Sequence, residues 1–77
     1  MLKIGDRVLF ISTAEKGKTG IIVKMNDTEL PALHLLFPYL AKIDGEDNRY
    51  IFSDNEVMFI PKDISEEKLK FLKLLLK

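Results

Sequence analysis

The chain contains no cysteine and a single histidine, and these scarcities exclude several kinds of site. Without cysteine, neither a disulfide framework nor a thiolate metal site can form. The histidine, His34, stands among leucines, a setting more typical of a structural imidazole than of a ligand or a base. Catalysis needs a nucleophile, a base and an orienting group in one pocket, and the sequence offers no such set. We therefore expect a protein that is not an enzyme and that uses no metal and no cofactor.

Long apolar runs and an excess of one charge are also missing. No run approaches the roughly 18 apolar residues of a transmembrane helix, and the N-terminus is not a secretory signal, so we expect a cytoplasmic protein without a membrane partner. Lysine and arginine number 12, as do aspartate and glutamate. This neutral total argues against tight, non-specific binding to nucleic acids. It leaves room for a local basic patch, because residues 1–25 carry more basic than acidic side chains.

Short runs of β-branched and aromatic residues recur between turn signals. Gly17 and Gly20 can adopt positive φ in a first turn, and Asp44-Gly45 is a strong hairpin signal. The 77 residues suffice for one domain. We predict a mainly β fold: a small five-stranded barrel over residues 1–60, followed by a short C-terminal α-helix over residues 61–77 of the same domain. The predicted strands are VLFI at 8–11, IIV at 21–23, YLAKI at 39–43, RYIF at 49–52 and VMFI at 57–60.

The C-terminal sequence SEEKLKFLKLLLK, residues 65–77, is typical of an amphipathic helix. Acidic residues open it and lysines close it, which complements the helix macrodipole. Its apolar stripe must pack on another surface, and the barrel is the expected one. A second copy of the helix is the alternative, so we predict a monomer or a weak homodimer. The stripe consists of Leu69, Leu72 and Leu76.

Residues 4–25, IGDRVLFISTAEKGKTGIIVKM, contain the most informative motif. Gly5-Asp6 precedes a strand, residues 16–20 form a Lys- and Gly-rich turn, and an apolar strand follows as far as Met25. This first third of the chain resembles the KOW motif, which occurs in a large-subunit ribosomal protein and in transcription elongation factors. The resemblance implies that the barrel is SH3-like. It also implies contact with RNA or with a protein of the transcription or translation machinery.

Two sets of residues follow as candidate binding sites for the predicted non-catalytic module. Because the chain is neutral and its central strands are acidic, we favour an accessory protein that docks onto a larger protein complex. The alternative is a KOW-type module that binds RNA or DNA. The protein contact would use Leu33, His34, Phe37, Tyr39 and Tyr50. The nucleic-acid contact would use Arg7, Lys16, Lys18, Lys42 and Arg49.

The choice of apolar contact residues depends on how the middle of the chain folds. Residues 30–37 fit either a short helical turn or an apolar loop packed over the end of the barrel. Tyrosines are more often half-buried with a wet hydroxyl group, which favours a surface position for both tyrosines. We expect the phenylalanines at 10, 52 and 59 to fill the small core.

Overall fold

The computed structural model describes residues 2–25 and 36–76, which form five β-strands and a C-terminal α-helix. This arrangement confirms the mainly β class with a terminal helix. None of the described helices has the length and apolar character needed to cross a membrane. The strands are β1 (Arg7–Phe10), β2 (Thr19–Met25), β3 (Tyr39–Ile43), β4 (Arg49–Phe52) and β5 (Val57–Ile60). A short 3₁₀ helix, Asp54–Glu56, joins β4 to β5, and helix α1 spans Glu66–Leu75.

The five strands form one open antiparallel sheet in the order β4-β3-β2-β1-β5. The first strand of the sequence is therefore internal, between its hairpin partner β2 and the last strand β5. The fourth and fifth strands lie at the two edges of the sheet. A closed barrel is not confirmed, because β4 and β5 are connected by the 3₁₀ helix rather than by a hydrogen-bonded ladder.

The sheet is strongly curled, as ring contacts between distant strands show. Phe10 on β1 lies 5.2 Å from Phe52 and 5.6 Å from Tyr50, both on β4, measured between ring centroids. In a flat sheet these strands would be three spacings apart, or about 14 Å. A register shift in β2 between Ile22 and Lys24 contributes to the bend, since bulges increase local twist. The concave face therefore bends around Phe10, although β4 and β5 stay unpaired with each other.

The concave face contains the main core. Strand alternation directs Val8 and Phe10 inward, and Ile22, Ala41 and Phe52 join them from the neighbouring strands. All five are fully buried. The two core phenylalanines at 10 and 52 are thus confirmed, and their edge-to-face contacts are of the favourable kind for aromatic rings.

The convex face, here called the outer face, supports the helix. Leu9 projects to this side between its inward neighbours, and it forms a second apolar cluster with Ile60 and the helix. The helix begins at the cap residue Ser65, whose side chain accepts a hydrogen bond from the Lys68 amide at 3.2 Å. The side of α1 that packs on this cluster carries Leu69 and the half-buried Leu72, with the half-buried Leu76 at the C-terminal cap.

Two aromatic residues have the opposite burial from the one predicted. Phe59 was expected in the core but is 50% exposed, because β5 is an edge strand and none of the described strands covers it. Tyr39 was expected at the surface but is only 7% exposed. Its ring stacks on Phe52 at 5.4 Å, and burial followed by the charge of Asp54 raises the pKa of its hydroxyl group.

Candidate functional site

Three of the five predicted nucleic-acid contacts lie in one row on the outer face. The ladder pairs Arg7 with Ile21, Ile21 with Lys42, and Lys42 with Arg49. Residues directly opposite each other in neighbouring antiparallel strands project from the same face. The row therefore carries three cations across four strands, with the 43% exposed side chain of Ile21 between the first two.

Helix α1 forms a wall along one side of this row. It packs over Leu9 and Ile60, and so covers the outer face of β1 and β5 only. An α-helix with its side chains is about 10–12 Å across, so it stands well above the sheet. The flank facing the row carries Lys70 and Lys73, which line a cleft of about 400 Å³ together with Arg7 and with the acidic side chains of Glu66 and Glu67.

The loop between β1 and β2 extends the cationic surface at the other end of the helix. Lys16 and Lys18 line a second cleft of about 520 Å³ with Lys70, Lys73 and Leu74. The remaining two predicted contacts thus lie beside the helix lysines rather than in the row. We call the combined surface the basic band: Arg7, Lys16, Lys18, Lys42, Arg49, Lys70 and Lys73.

Sequence reasoning did not assign the two helix lysines to this surface. The helical periodicity places Lys70 and Lys73 away from the leucine stripe, which is correct. The periodicity does not show which part of the sheet these lysines lie beside. Which side of the sheet the helix covers depends on the direction of Leu9 and Ile60, and that direction is set by tertiary packing.

Carboxylates from the turn between β3 and β4 orient one end of the band. Arg7 Nη2 lies 3.3 Å from Asp44 Oδ2, and the Thr19 hydroxyl donates a hydrogen bond to the same oxygen at 2.6 Å. The Asp44 amide also donates to the Thr19 carbonyl oxygen at 2.8 Å. The turn is therefore fixed against the start of β2.

Lys18, in the loop between β1 and β2, connects this loop to the turn between β3 and β4 through two ion pairs. Its Nζ lies 3.0 Å from both Glu15 Oε2 and Glu46 Oε2. These carboxylates raise the pKa of Lys18, and the hydrogen bond that its ammonium group donates to Glu15 has the larger effect. The hydrogen bond from Lys18, followed by that from Asn48, lowers the pKa of Glu46.

We expect the ion pair between Lys18 and Glu46 to weaken at acidic pH. Because the pKa of Glu46 is lower in the folded chain than in the unfolded one, its ionised form stabilises the fold at neutral pH. That contribution is lost as the pH falls below the ordinary value of 4.5 and through the folded-state pKa. An NMR titration of side-chain carboxyl shifts should place the midpoint of Glu46 below 4.5.

Two lysine variants provide the control for this titration. In Lys18→Gln the pKa of Glu46 should return toward its ordinary value, because the first cause of the shift is removed. In Lys16→Gln it should not move, since Lys16 makes no ion pair with another described residue. An equal response in both variants would contradict the assigned contact.

The residues predicted for a protein contact do not assemble in the same way. Leu33 and His34 lie outside the described residues, as does most of the segment whose helical or loop structure was left open. Phe37 is half-buried, and Tyr50 is half-buried with its ring edge-on to Phe10. With Tyr39 in the core, the described members present no common exposed patch.

No protein-family model, no curated protein and no solved structure matches this chain. Within residues 2–25 and 36–76, no three histidine or acidic side chains come together as a metal-binding group. The geometry of the basic band is therefore the main guide to function.

Proposed function

We propose that this chain is a non-catalytic module that binds single-stranded nucleic acid, RNA in first place, along the basic band. The observation that carries the proposal is the register row of Arg7, Lys42 and Arg49 on the outer face, which begins beside the helix and continues over strands that the helix does not cover. We also infer that the curled sheet is the SH3-like barrel implied by the resemblance to the KOW motif. That resemblance is the reason for placing RNA before DNA.

The distribution of charge supports this partner over an acidic or apolar protein surface. The neutral total made a protein partner the first expectation, but three of the cations stand in one register row across the sheet. Within the described residues, Lys42 and Arg49 make no ion pair with a carboxylate. Cations without a carboxylate partner can contact phosphates without first losing an ion pair.

The shape of the surface favours a single strand over a duplex. From β1 to β4 the row extends over three strand spacings, about 14 Å. Ile21 and Ile51 are exposed on the same face, where they offer apolar contact to unstacked bases. A duplex hides its base faces, whereas a single strand can turn them toward such a surface while arginine and lysine contact its backbone.

The test compares charge-matched variants in RNA binding. In the double variant Lys42→Gln/Arg49→Gln, we expect the affinity for a mixed-sequence RNA of about 12 nucleotides, a length within the usual site sizes, to fall at least about tenfold. The slope of log K against log salt should shrink by about 0.7 per lost phosphate contact, or about 1.4 in total. Fluorescence anisotropy at several salt concentrations measures both quantities, with a DNA of the same sequence beside the RNA.

The control is Lys3→Gln/Lys68→Gln, which removes the same charge. Both lysines are exposed, and neither borders the clefts of the basic band. This variant should bind RNA nearly as the unmodified protein does. No binding by the unmodified protein at low salt, or an equal loss in both double variants, would overturn the proposal.

A further inference from the structure

The second feature that the fold leaves open is the free edge of β5. Among residues 2–25 and 36–76, this strand pairs with β1 alone, so one side of it faces outward. Edge strands of soluble proteins commonly carry charged residues that prevent pairing with another chain. The opposite edge strand, β4, contains Arg49, whereas the sequence of β5, VMFI, contains no charge.

The backbone of β5 has few groups available at this edge. The Ile11 amide donates to the Glu56 carbonyl oxygen at 3.0 Å, so residues 56, 58 and 60 direct their backbone groups toward β1. By alternation, Val57 and Phe59 direct theirs outward.

Only one of these two residues has both groups free for pairing. The Val57 amide already donates to the Asp54 carbonyl oxygen at the end of the 3₁₀ helix. Beyond the strand, Pro61 has no amide hydrogen to offer. Among the described residues, Phe59 is therefore the one position of β5 at which an outward amide and an outward carbonyl group are both available.

An outward amide and an outward carbonyl group on one residue can pair with the same two groups in a second copy of the chain. If two β5 strands meet antiparallel with Phe59 opposite Phe59, each amide can donate to the other's carbonyl group. The arrangement is a two-fold contact, in which the same surface patch occurs on both sides. A partner in another register would meet the occupied Val57 amide or the ring of Pro61.

Exposed apolar side chains lie beside the free edge of β5, both on the sheet and on the helix. On the sheet, Met58 and Phe59 are 39% and 50% exposed. On the helix, Lys70 faces the row of Arg7, and at 100° per residue Phe71 and Leu75 fall on the flank away from it. Both of these helix residues are at least 60% exposed.

We propose that β5 pairs with β5 of a second copy of this chain, with the helix flanks of Phe71 and Leu75 in contact above it. A stable interface buries roughly 800 Å² on each partner, and the patch proposed here consists of a four-residue strand and one helix flank. The dimer is therefore weak and depends on protein concentration. The basic band is on the other flank of the helix, so both copies keep it accessible.

Adjacent leucines of the helix provide a matched pair of variants. Leu74 and Leu75 are 61% and 64% exposed, but Leu74 lines the cleft beside Lys16 on the flank of the basic band. Sedimentation equilibrium over a wide concentration range should show a monomer–dimer equilibrium. We expect Leu75→Gln and Phe59→Lys to weaken it at least tenfold, and Leu74→Gln to leave it unchanged.

Amide hydrogen exchange tests the strand register independently of any variant. In a dilute sample the Phe59 amide should exchange rapidly, and its exchange should slow as the protein concentration rises. The Met58 amide, which faces β1, should be protected at every concentration. A protein that stays monomeric at millimolar concentration, or a dimer weakened equally by Leu74→Gln and Leu75→Gln, would overturn the proposal.

Discussion

Replacement of Phe10 by alanine is expected to remove a large share of the stability of this domain. The ring is fully buried and contacts Tyr50 and Phe52 from the far side of the curled sheet. Truncation of a buried phenylalanine costs about 3–5 kcal/mol in the free energy of unfolding. At about 0.05–0.15 kcal/mol per residue, a chain of 77 residues has a total stability of roughly 4–12 kcal/mol. We therefore expect Phe10→Ala to lose at least about a quarter of the free energy of unfolding, and to be unfolded at room temperature if the unmodified domain is near the lower end of that range.

Urea denaturation followed by circular dichroism measures this effect, and Phe71→Ala is its control. The same side chain is removed there from an exposed position on the helix, where substitutions usually change stability by about 0.5 kcal/mol or less. The measurements belong at low protein concentration, where the proposed dimer is dissociated. Equal midpoints for the two variants would mean that the sheet does not close around Phe10.

Replacement of Gly20 by alanine is the second change with a large expected effect. A β-carbon at this position would lie 2.7 Å from the carbonyl oxygen of Lys42, which belongs to the backbone of β3. Gly20 pairs with Val8 on one side and Ile43 on the other, so neither neighbour can withdraw without breaking a ladder. We expect a loss of about 1–3 kcal/mol, the usual range for overpacking, and a disturbed pairing of β2 with β3.

Asparagine substitutions separate this crowding from a backbone requirement. Gly45 has a φ of +78° and open space around it, and asparagine tolerates that conformation. Gly45→Asn should therefore cost little, whereas Gly20→Asn should cost at least as much as Gly20→Ala. Thermal denaturation of the three variants gives the comparison. A mild effect of Gly20→Asn would contradict the close approach of β2 and β3.

The sequence predicted the positions of the strands well, but it predicted a barrel where the structure has an open, curled sheet. Alternation of apolar residues and the Asp44-Gly45 turn placed β3, β4 and β5 at the positions that the structure has. Gly17 indeed has a positive φ of +90°, but Gly20 does not and is needed for close approach instead. A residue pattern cannot distinguish these two uses of glycine, because the second depends on the distance to a strand far along the chain.

Local sequence patterns also could not predict which individual aromatic residues are buried. Tyr39 and Phe59 have similar apolar neighbours in sequence, yet one stacks in the core and the other lies at an edge. Strand order decides between them, and strand order is a long-range property. The same holds for the candidate site: residue type identified Arg7 and Lys42 as possible contacts, while the register placed them in one row.

The central position of β1 has a consequence for folding. Arg7 pairs with Ile60, so the ladder between the first and last strands closes a loop of roughly fifty residues. Contacts so distant in sequence slow folding, and all-β domains rich in them fold in milliseconds to seconds. A chain still lacking β5 would leave Leu9 without Ile60 and without the helix. We expect such shortened chains to expose this strand and to aggregate until the last strand is added.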